Sequence, residues 1–201
     1  YKFSAAEGGL RVPLIVSWAG NPALVPGRVA KSLTHVTDIA PTLLQLTGVA
    51  PVAGPEPLTG KSLVPLLTGA ADSVRLPDET VGYELSGNAA LLQGDHKLVK
   101  NLPPLGDGRW HLYDIVRDPG ETRDLAAAEP TRFRDMQARY DRWAADNGVL
   151  PMPEGYVVGQ QIQENAMRAV WWPKLKPILI GLGVLLLALA CWRIARKRRA
   201  A

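Results

Sequence analysis

The chain has 201 residues, with 23 Lys and Arg against 19 Asp and Glu, which gives a formal net charge of +4. Seven of the cations lie at or after Lys174, where no acid occurs, so the preceding body keeps 16 cations against 19 acids, a charge of −3. A mildly acidic body argues against nucleic-acid binding. The single cysteine, Cys191, excludes a disulfide within the chain and a zinc site built from its cysteines.

A chain of 201 residues suits one domain or the end of a larger one. Because the sequence begins at Tyr1 rather than at Met, we expect it to be part of a longer protein. The lack of a signal peptide therefore carries no information about export.

The N-terminal stretch combines a cation, a glycine pair and an apolar run. Lys2 precedes Glu7-Gly8-Gly9, and paired glycines predict a tight turn. The run from Val12 to Trp18 is rich in β-branched residues and predicts a buried strand. Ligands of open α/β sheets bind at such corners, so Lys2 is a candidate binding residue, although most lysines are simply solvated.

The next segment, up to residue 78, predicts short elements between loops. We expect a short strand from Val29 to His35, a helix from Thr37 to Gly48 capped by Thr37 or Asp38, and a short helix from Lys61 to Thr68. His35 and Asp38 form an isolated pair, which favours structural roles over a metal site. The Gly60-Lys61-Ser62 sequence is not a phosphate loop, because position 55 is proline and no strand precedes it.

The composition then changes to short strands separated by turn signals, which predicts an antiparallel meander. Its predicted strands are Thr80–Leu85, Ala89–Gln93, His96–Lys100 and Arg109–Ile115. Within it, His96 and His111 lack a carboxylate or cysteine partner at ligand spacing, so we expect structural roles for both. The charged loop 117–125 lacks the alternating acids of a calcium loop.

A long amphipathic helix is predicted from Pro130 to Asp146, ended by Asn147-Gly148. Its apolar stripe predicts packing against the meander. The stripe consists of Phe133, Met136, Tyr140 and Trp143.

The C-terminal tail has the pattern of a membrane span. Pro177 to Trp192 is an uncharged run of 16 residues, and Lys174, Lys176 and Arg193 can extend it by reaching toward the headgroups. Five cations follow the run and two precede it, which predicts a cytoplasmic C-terminus. The tryptophans that suit the two interfaces are Trp171, Trp172 and Trp192.

Three motifs together resemble the sulfatase family. The first is Lys2, four residues, Glu-Gly-Gly-x-Arg-Val-Pro and an apolar run ending in Trp-x-Gly. The second is Gly-Asn-x-Ala-x-x-x-Gly-Asp-x-Lys-Leu-Val at 87–99, and the third is Trp-x-Leu-Tyr-Asp-x-x-x-Asp-Pro-x-Glu-x-x-Asp-Leu-Ala at 110–126. The resemblance runs from Lys2 to about Asn147. The family often has Trp where His96 stands, a difference that touches no catalytic position.

The resemblance implies the C-terminal part of a membrane-anchored, arylsulfatase-like enzyme of the alkaline phosphatase superfamily. In that family this lysine contacts the substrate sulfate, so Lys2 is the one catalytic and substrate-binding residue carried over. Glu7, Gly8, Gly9 and Arg11 would shape the corner that places it. The family's formylglycine nucleophile and its calcium ligands would lie upstream of Tyr1, with no metal ligand in this chain, which alone should be inactive.

The implied fold class is α/β. Residues 1–78 would complete the alkaline-phosphatase-like domain and 79–147 would form a subdomain of four antiparallel strands and a helix. A linker (148–173), a transmembrane helix (174–194) and a basic cytoplasmic tail (195–201) would follow. The body would then lie outside the cytoplasm, in the periplasm if the protein is bacterial.

The expected substrate is a small molecule or glycan that carries a sulfate ester, and membrane lipid is the expected partner of the tail. A phosphonate or phosphate monoester hydrolase of the same superfamily is an alternative, since both substrates are tetrahedral oxyanions. A non-catalytic, membrane-anchored remnant is another.

Overall fold

A computed structural model of the chain describes residues 3–52, 54 and 57–199. These residues form two compact units, one that ends at Pro151 and one that begins at Met152. The first unit contains helices α1 (Glu7–Leu10), α2 (Ile39–Thr47), α3 (Val64–Leu67) and α4 (Pro130–Asp146), with a 3₁₀ turn at Val36–Asp38. Its strands are β1 (Thr80–Leu85), β2 (Asn88–Gln93), β3 (His96–Lys100) and β4 (Trp110–Asp114).

The four strands form one antiparallel sheet in the order β1-β2-β3-β4, as the turn signals predict. The first hairpin pairs Leu85 with Asn88, so only Ser86 and Gly87 connect the strands. Both have a left-handed backbone, with φ of +53° and +84°, which matches the right-handed twist of the flanking strands. The predicted meander and the helix at Pro130–Asp146 are therefore confirmed, and with them the mixed α/β class.

The sheet is covered on both faces. On one face α4 packs over a core of Ala89, Leu91, Leu98, Leu112, Met136 and Tyr140. On the other face Ala5 packs with Ala90, Leu92 and Val99. Because side chains alternate along a strand, β2 sends one set of residues to each core and is buried along almost its whole length. The N-terminal segment is thus part of the sheet's second core.

Three predictions for the N-terminal part are wrong. Glu7-Gly8-Gly9 forms the start of helix α1 rather than a tight turn, and neither glycine has a positive φ. Val12–Trp18 is neither a strand nor buried, since its large apolar residues are 45–85% exposed. Val29–His35 forms no strand either. A strand needs a hydrogen-bonding neighbour, and the described part of the chain supplies none for these two runs.

The second unit is a nearly continuous helix. It comprises α5 (Val158–Ala166), a π-helical turn (Met167–Trp171) and α6 (Trp172–Arg199). The predicted linker, 148–173, therefore contains helix from Val158 onward. Residues 158–194 are long and apolar enough to cross a membrane, by length and composition, and their most apolar stretch has no buried residue.

A substitution at Gly82 would test the packing of α4 on the sheet. It lies in β1, and a Cβ atom at this position would overlap the indole ring of Trp143. We expect Gly82→Ala to destabilise the first unit by about 1–3 kcal/mol, because the ring must shift within a packed core. Gly159→Ala is the control, since a Cβ there meets open space. Urea unfolding in mild detergent measures both, and equal stability of the two variants would contradict this packing.

Candidate active-site segment

Lys2, the predicted catalytic and substrate-binding residue, lies outside the described residues. The structure does describe the segment that follows it, Phe3–Leu10, which we call the lysine-bearing segment. Phe3 has a left-handed backbone, with φ of +70°, so the chain changes direction directly after Lys2. The contacts of this segment determine how firmly the neighbourhood of Lys2 is held.

Two asparagines fix the start of the lysine-bearing segment to the sheet. Asn88, buried at the start of β2, donates from Nδ2 to the carbonyl oxygen of Phe3 at 2.8 Å. Its Oδ1 accepts from the backbone N–H of Leu102, also at 2.8 Å. Asn101 Oδ1 accepts from the backbone N–H of Ala5 at 2.8 Å. Backbone groups that would otherwise lose water on burial are thereby paired.

A buried charge cluster fixes helix α1. The ammonium group of Lys97, fully buried in β3, lies 3.0 Å from Glu7 Oε1 and 2.9 Å from Glu121 Oε1. Glu121 Oε2 also accepts from the backbone N–H of Glu7 at 2.9 Å. Arg11 lies 3.5 Å from the other oxygen of Glu7. The buried ammonium therefore has a carboxylate on each side, and the exposed Arg11 offsets the second negative charge from the surface.

The sequence pattern identified Glu7 and Arg11 but not the distant residues that hold the lysine-bearing segment. Lys97, Glu121, Asn88 and Asn101 are 85 to 114 positions away from their partners along the chain. One local signal exists: Lys97 precedes the apolar pair Leu98-Val99 in a predicted strand, and a cation that is buried in a strand needs a partner.

A second buried ion pair organises residues 33–79. Asp38 is fully buried and accepts two hydrogen bonds from the Arg75 guanidinium, at 2.7 and 2.8 Å. It also accepts from the backbone N–H groups of His35 and Lys61. Burial alone would raise the pKa of Asp38, but these hydrogen bonds, led by Arg75, outweigh it and lower the pKa. The side chain of Asp38 makes no capping hydrogen bond to α2. It forms a capping box with His35 at the start of the 3₁₀ turn instead.

His111 bridges two loops through a pair of carboxylates. Its Nδ1 lies 2.9 Å from Asp124 and its Nε2 lies 3.0 Å from Asp107, so the expectation that it has no carboxylate partner is wrong. Burial favours the neutral ring, but the bonds to Asp107 and Asp124 outweigh it and raise the pKa of His111. Both ring nitrogens are engaged, which leaves neither for a metal.

His96 likewise has a carboxylate nearby, with Nε2 3.8 Å from Glu129. Both residues belong to an open groove that also contains Asp95 and Arg132. Arg132 there pairs with Glu129 at 2.6 Å.

A calcium site, which the family resemblance implies for the enzyme, does not fit the residues at hand. Within the described ranges no three His, Cys, Asp or Glu side chains are placed so that they could hold a metal ion. Asp118, in the charged loop, accepts from the backbone N–H groups of Thr122 and Arg123 at 2.8 Å each. Its oxygens therefore shape the loop.

Replacing Lys97 tests the buried cluster. Lys97→Met leaves two carboxylates buried close together, and we expect a loss of about 3–5 kcal/mol in the free energy of unfolding. Lys100→Met, in the same strand but over the ring of Trp110, should cost less than about 1 kcal/mol. Adding Glu7→Gln and Glu121→Gln to Lys97→Met should recover part of the loss. A Lys97→Met protein as stable as the Lys100→Met control would contradict the role of the cluster.

The His111 bridge predicts a pH dependence of stability. Because the pKa of His111 is raised in the folded state, its contribution is fully present below the unfolded pKa of about 6.5 and is lost as pH rises through the folded value. Urea unfolding from pH 6 upward should show this decline. His111→Gln should lack it in that window, and an unchanged pH profile in the variant would contradict the assignment.

Comparison with known proteins agrees with the motifs. Residues 2–141 match the family described as N-sulphoglucosamine sulphohydrolase, C-terminal. The chain is similar to arylsulfatase D of Homo sapiens (47% identity, covering 85% of this chain and 32% of that protein) and to steryl-sulfatase of Mus musculus (29% identity, 65% and 24%). It is also similar to choline-sulfatase of Rhizobium meliloti (30% identity, 74% and 30%).

Among solved structures, that of Ps i-CgsB in complex with k-i-k-neocarrahexaose is similar, with 20% identity, coverage of 69% of this chain and 30% of that chain, and a TM-score of 0.46. The chain spans about a quarter to a third of the length of the curated relatives it matches. The family match extends over more than half of the chain and includes all three motifs. The chain therefore belongs to the sulfatase family and matches the C-terminal part of that family.

Proposed function

We propose that this chain forms the C-terminal part of an enzyme that hydrolyses sulfate esters. The observation that carries the proposal is the family match over residues 2–141. The relatives with the names arylsulfatase, steryl-sulfatase and choline-sulfatase support the reaction class. The substrate is a sulfate ester of a small molecule or a glycan.

In this proposal Lys2 contacts the sulfate group and stabilises the negative charge that develops in the transition state. A lysine suits the role, because its ammonium is a compact charge with three donors for an oxyanion. The contacts of the lysine-bearing segment support it: Phe3, Ala5 and Glu7 are each hydrogen-bonded to the sheet subdomain or its loops.

The formylglycine nucleophile and the calcium ion are assigned to residues outside this chain. Calcium would act as a Lewis acid on the sulfate oxygens when bound. The only cysteine here, Cys191, lies in the apolar helix α6 and suits no nucleophile role. The activity of the whole protein thus depends on the remaining part.

We also propose that residues 1–78 complete an α/β domain with that remaining part, and that 79–147 form the C-terminal subdomain. The exposed apolar run Val12–Trp18 supports this division, because an extended apolar segment without a sheet neighbour suits a strand that joins a larger sheet. Residues 174–194 would span the membrane, with 195–201 in the cytoplasm and the body outside. The excess of cations after the span supports the orientation.

Lys2→Ala in the full-length enzyme tests the catalytic assignment. If Lys2 stabilises the transition state, the rate of hydrolysis of an aryl sulfate should fall by about 10² or more. Lys31→Ala is the control, because Lys31 is exposed and lies outside the three family motifs. An unchanged rate in Lys2→Ala would overturn the role of Lys2. A wild-type enzyme that hydrolyses the aryl phosphate and not the aryl sulfate would overturn the proposed reaction.

A further inference from the structure

We infer that helix α5 lies on the outer surface of the membrane, with one apolar stripe in the headgroup region of the lipid bilayer. This inference rests on the proposed membrane span in α6. It adds a second membrane-contacting element with a different chemistry. The observations that carry it are the length of the helix, the pattern of α5 and the break between α5 and α6.

The helix is too long to be only a span. Residues 158–194 comprise 37 residues, which at 1.5 Å per residue extend about 55 Å. The hydrocarbon core of a bilayer is about 30 Å thick. About 25 Å of helix must therefore lie outside the hydrocarbon core, and the uncharged run from Pro177 to Trp192 assigns the N-terminal part, α5, to that excess.

Helix α5 has two distinct sides. Val158, Ile162 and Ala166 recur at every fourth residue of α5 and so share one side of the helix. Gln160 and Glu164 lie on the opposite, polar side. Gln161, which donates to Asn165 at 3.0 Å, lies at the edge of the stripe. Ile162 remains about half exposed in the structure. A helix with one apolar stripe and low net hydrophobicity is typical of elements that lie in the membrane interface.

The two parts of the helix meet at a natural hinge. The turn from Met167 to Trp171 is π-helical, with the N–H of Trp172 donating to the carbonyl of Met167 five residues back. Pro173 and Pro177 follow and lack the N–H groups that an unbroken helix would use. Kinks occur at π turns and prolines, so the direction of the helix can change where it enters the bilayer.

The composition of the hinge and of α5 favours lipid as the partner of the apolar stripe. Trp171 and Trp172, more than half exposed, suit the headgroup level. The charges of α5 and the π turn are Glu164 and Arg168, which cancel. Binding through an apolar stripe without net charge should not depend on anionic lipid or on salt.

Site-directed spin labelling of the full chain in vesicles tests the inference. In a Cys191→Ser background, a spin label is attached to one introduced cysteine per variant: Ile162→Cys on the stripe, Gln160→Cys on the polar side or Leu186→Cys in α6. Collisions with oxygen report lipid contact, and collisions with a water-soluble nickel chelate report water contact. The vesicles consist of phosphatidylcholine, alone or with phosphatidylglycerol.

We expect the label at 162 to favour oxygen and the label at 160 to favour nickel, in both lipid mixtures. Equal nickel accessibility at 160 and 162, with oxygen favoured at 186, would overturn the surface helix while leaving the span intact. Nickel accessibility at 186 would overturn the span itself. Spin–spin broadening at 162 would mean that a second copy of the chain covers the stripe, and dependence on phosphatidylglycerol would mean that charge drives binding. Either outcome overturns the inference.

Discussion

The buried ammonium of Lys97 is the constraint on which the lysine-bearing segment depends. It lies between the carboxylates of Glu7 and Glu121, at 3.0 and 2.9 Å, and is fully buried. Such a cation is tolerable only when both partners are in place. Strand β3, helix α1 and the loop at 117–125 must therefore reach their native positions together. The segment next to Lys2 is consequently fixed by the same charge that fixes the subdomain.

Ion pairs also hold together the loops of the first unit. Asp38 joins Arg75 and two backbone N–H groups, so three separate stretches meet at one carboxylate. His111 connects the loops that contain Asp107 and Asp124. Charge-assisted hydrogen bonds are directional, and each leaves few alternative arrangements for the chain around it. The Asp38 pair is buried, so salt should screen it little, whereas the partly exposed His111 bridge should be screened more strongly.

Three helices of this chain show how the distribution of apolar residues reflects the surroundings of a helix. Helix α4 has one broad stripe, and that stripe is covered by the sheet. Helix α6 is apolar on all sides over 16 uncharged residues, a pattern that suits lipid all around. Helix α5 has a narrower stripe, in which Ile162 stays about half exposed. A partly exposed stripe continuous with an all-apolar helix is most simply accommodated where water and hydrocarbon meet.

Local patterns predicted those elements whose cause is local. The turn signals between the short strands and the stripe of Phe133, Met136, Tyr140 and Trp143 correctly predicted the meander and α4. The prediction was wrong at Val12–Trp18, because apolar β-branched residues make a strand possible but only a neighbouring strand makes it form. It also missed the partners of Glu7, since pairing between positions 90 and 114 apart leaves no periodic signal. Lys97 could have been recognised only by asking why a strand with an apolar core on each face carries a cation in its interior. The explanation is its partner Glu7, which lies in helix α1 near the start of the sequence.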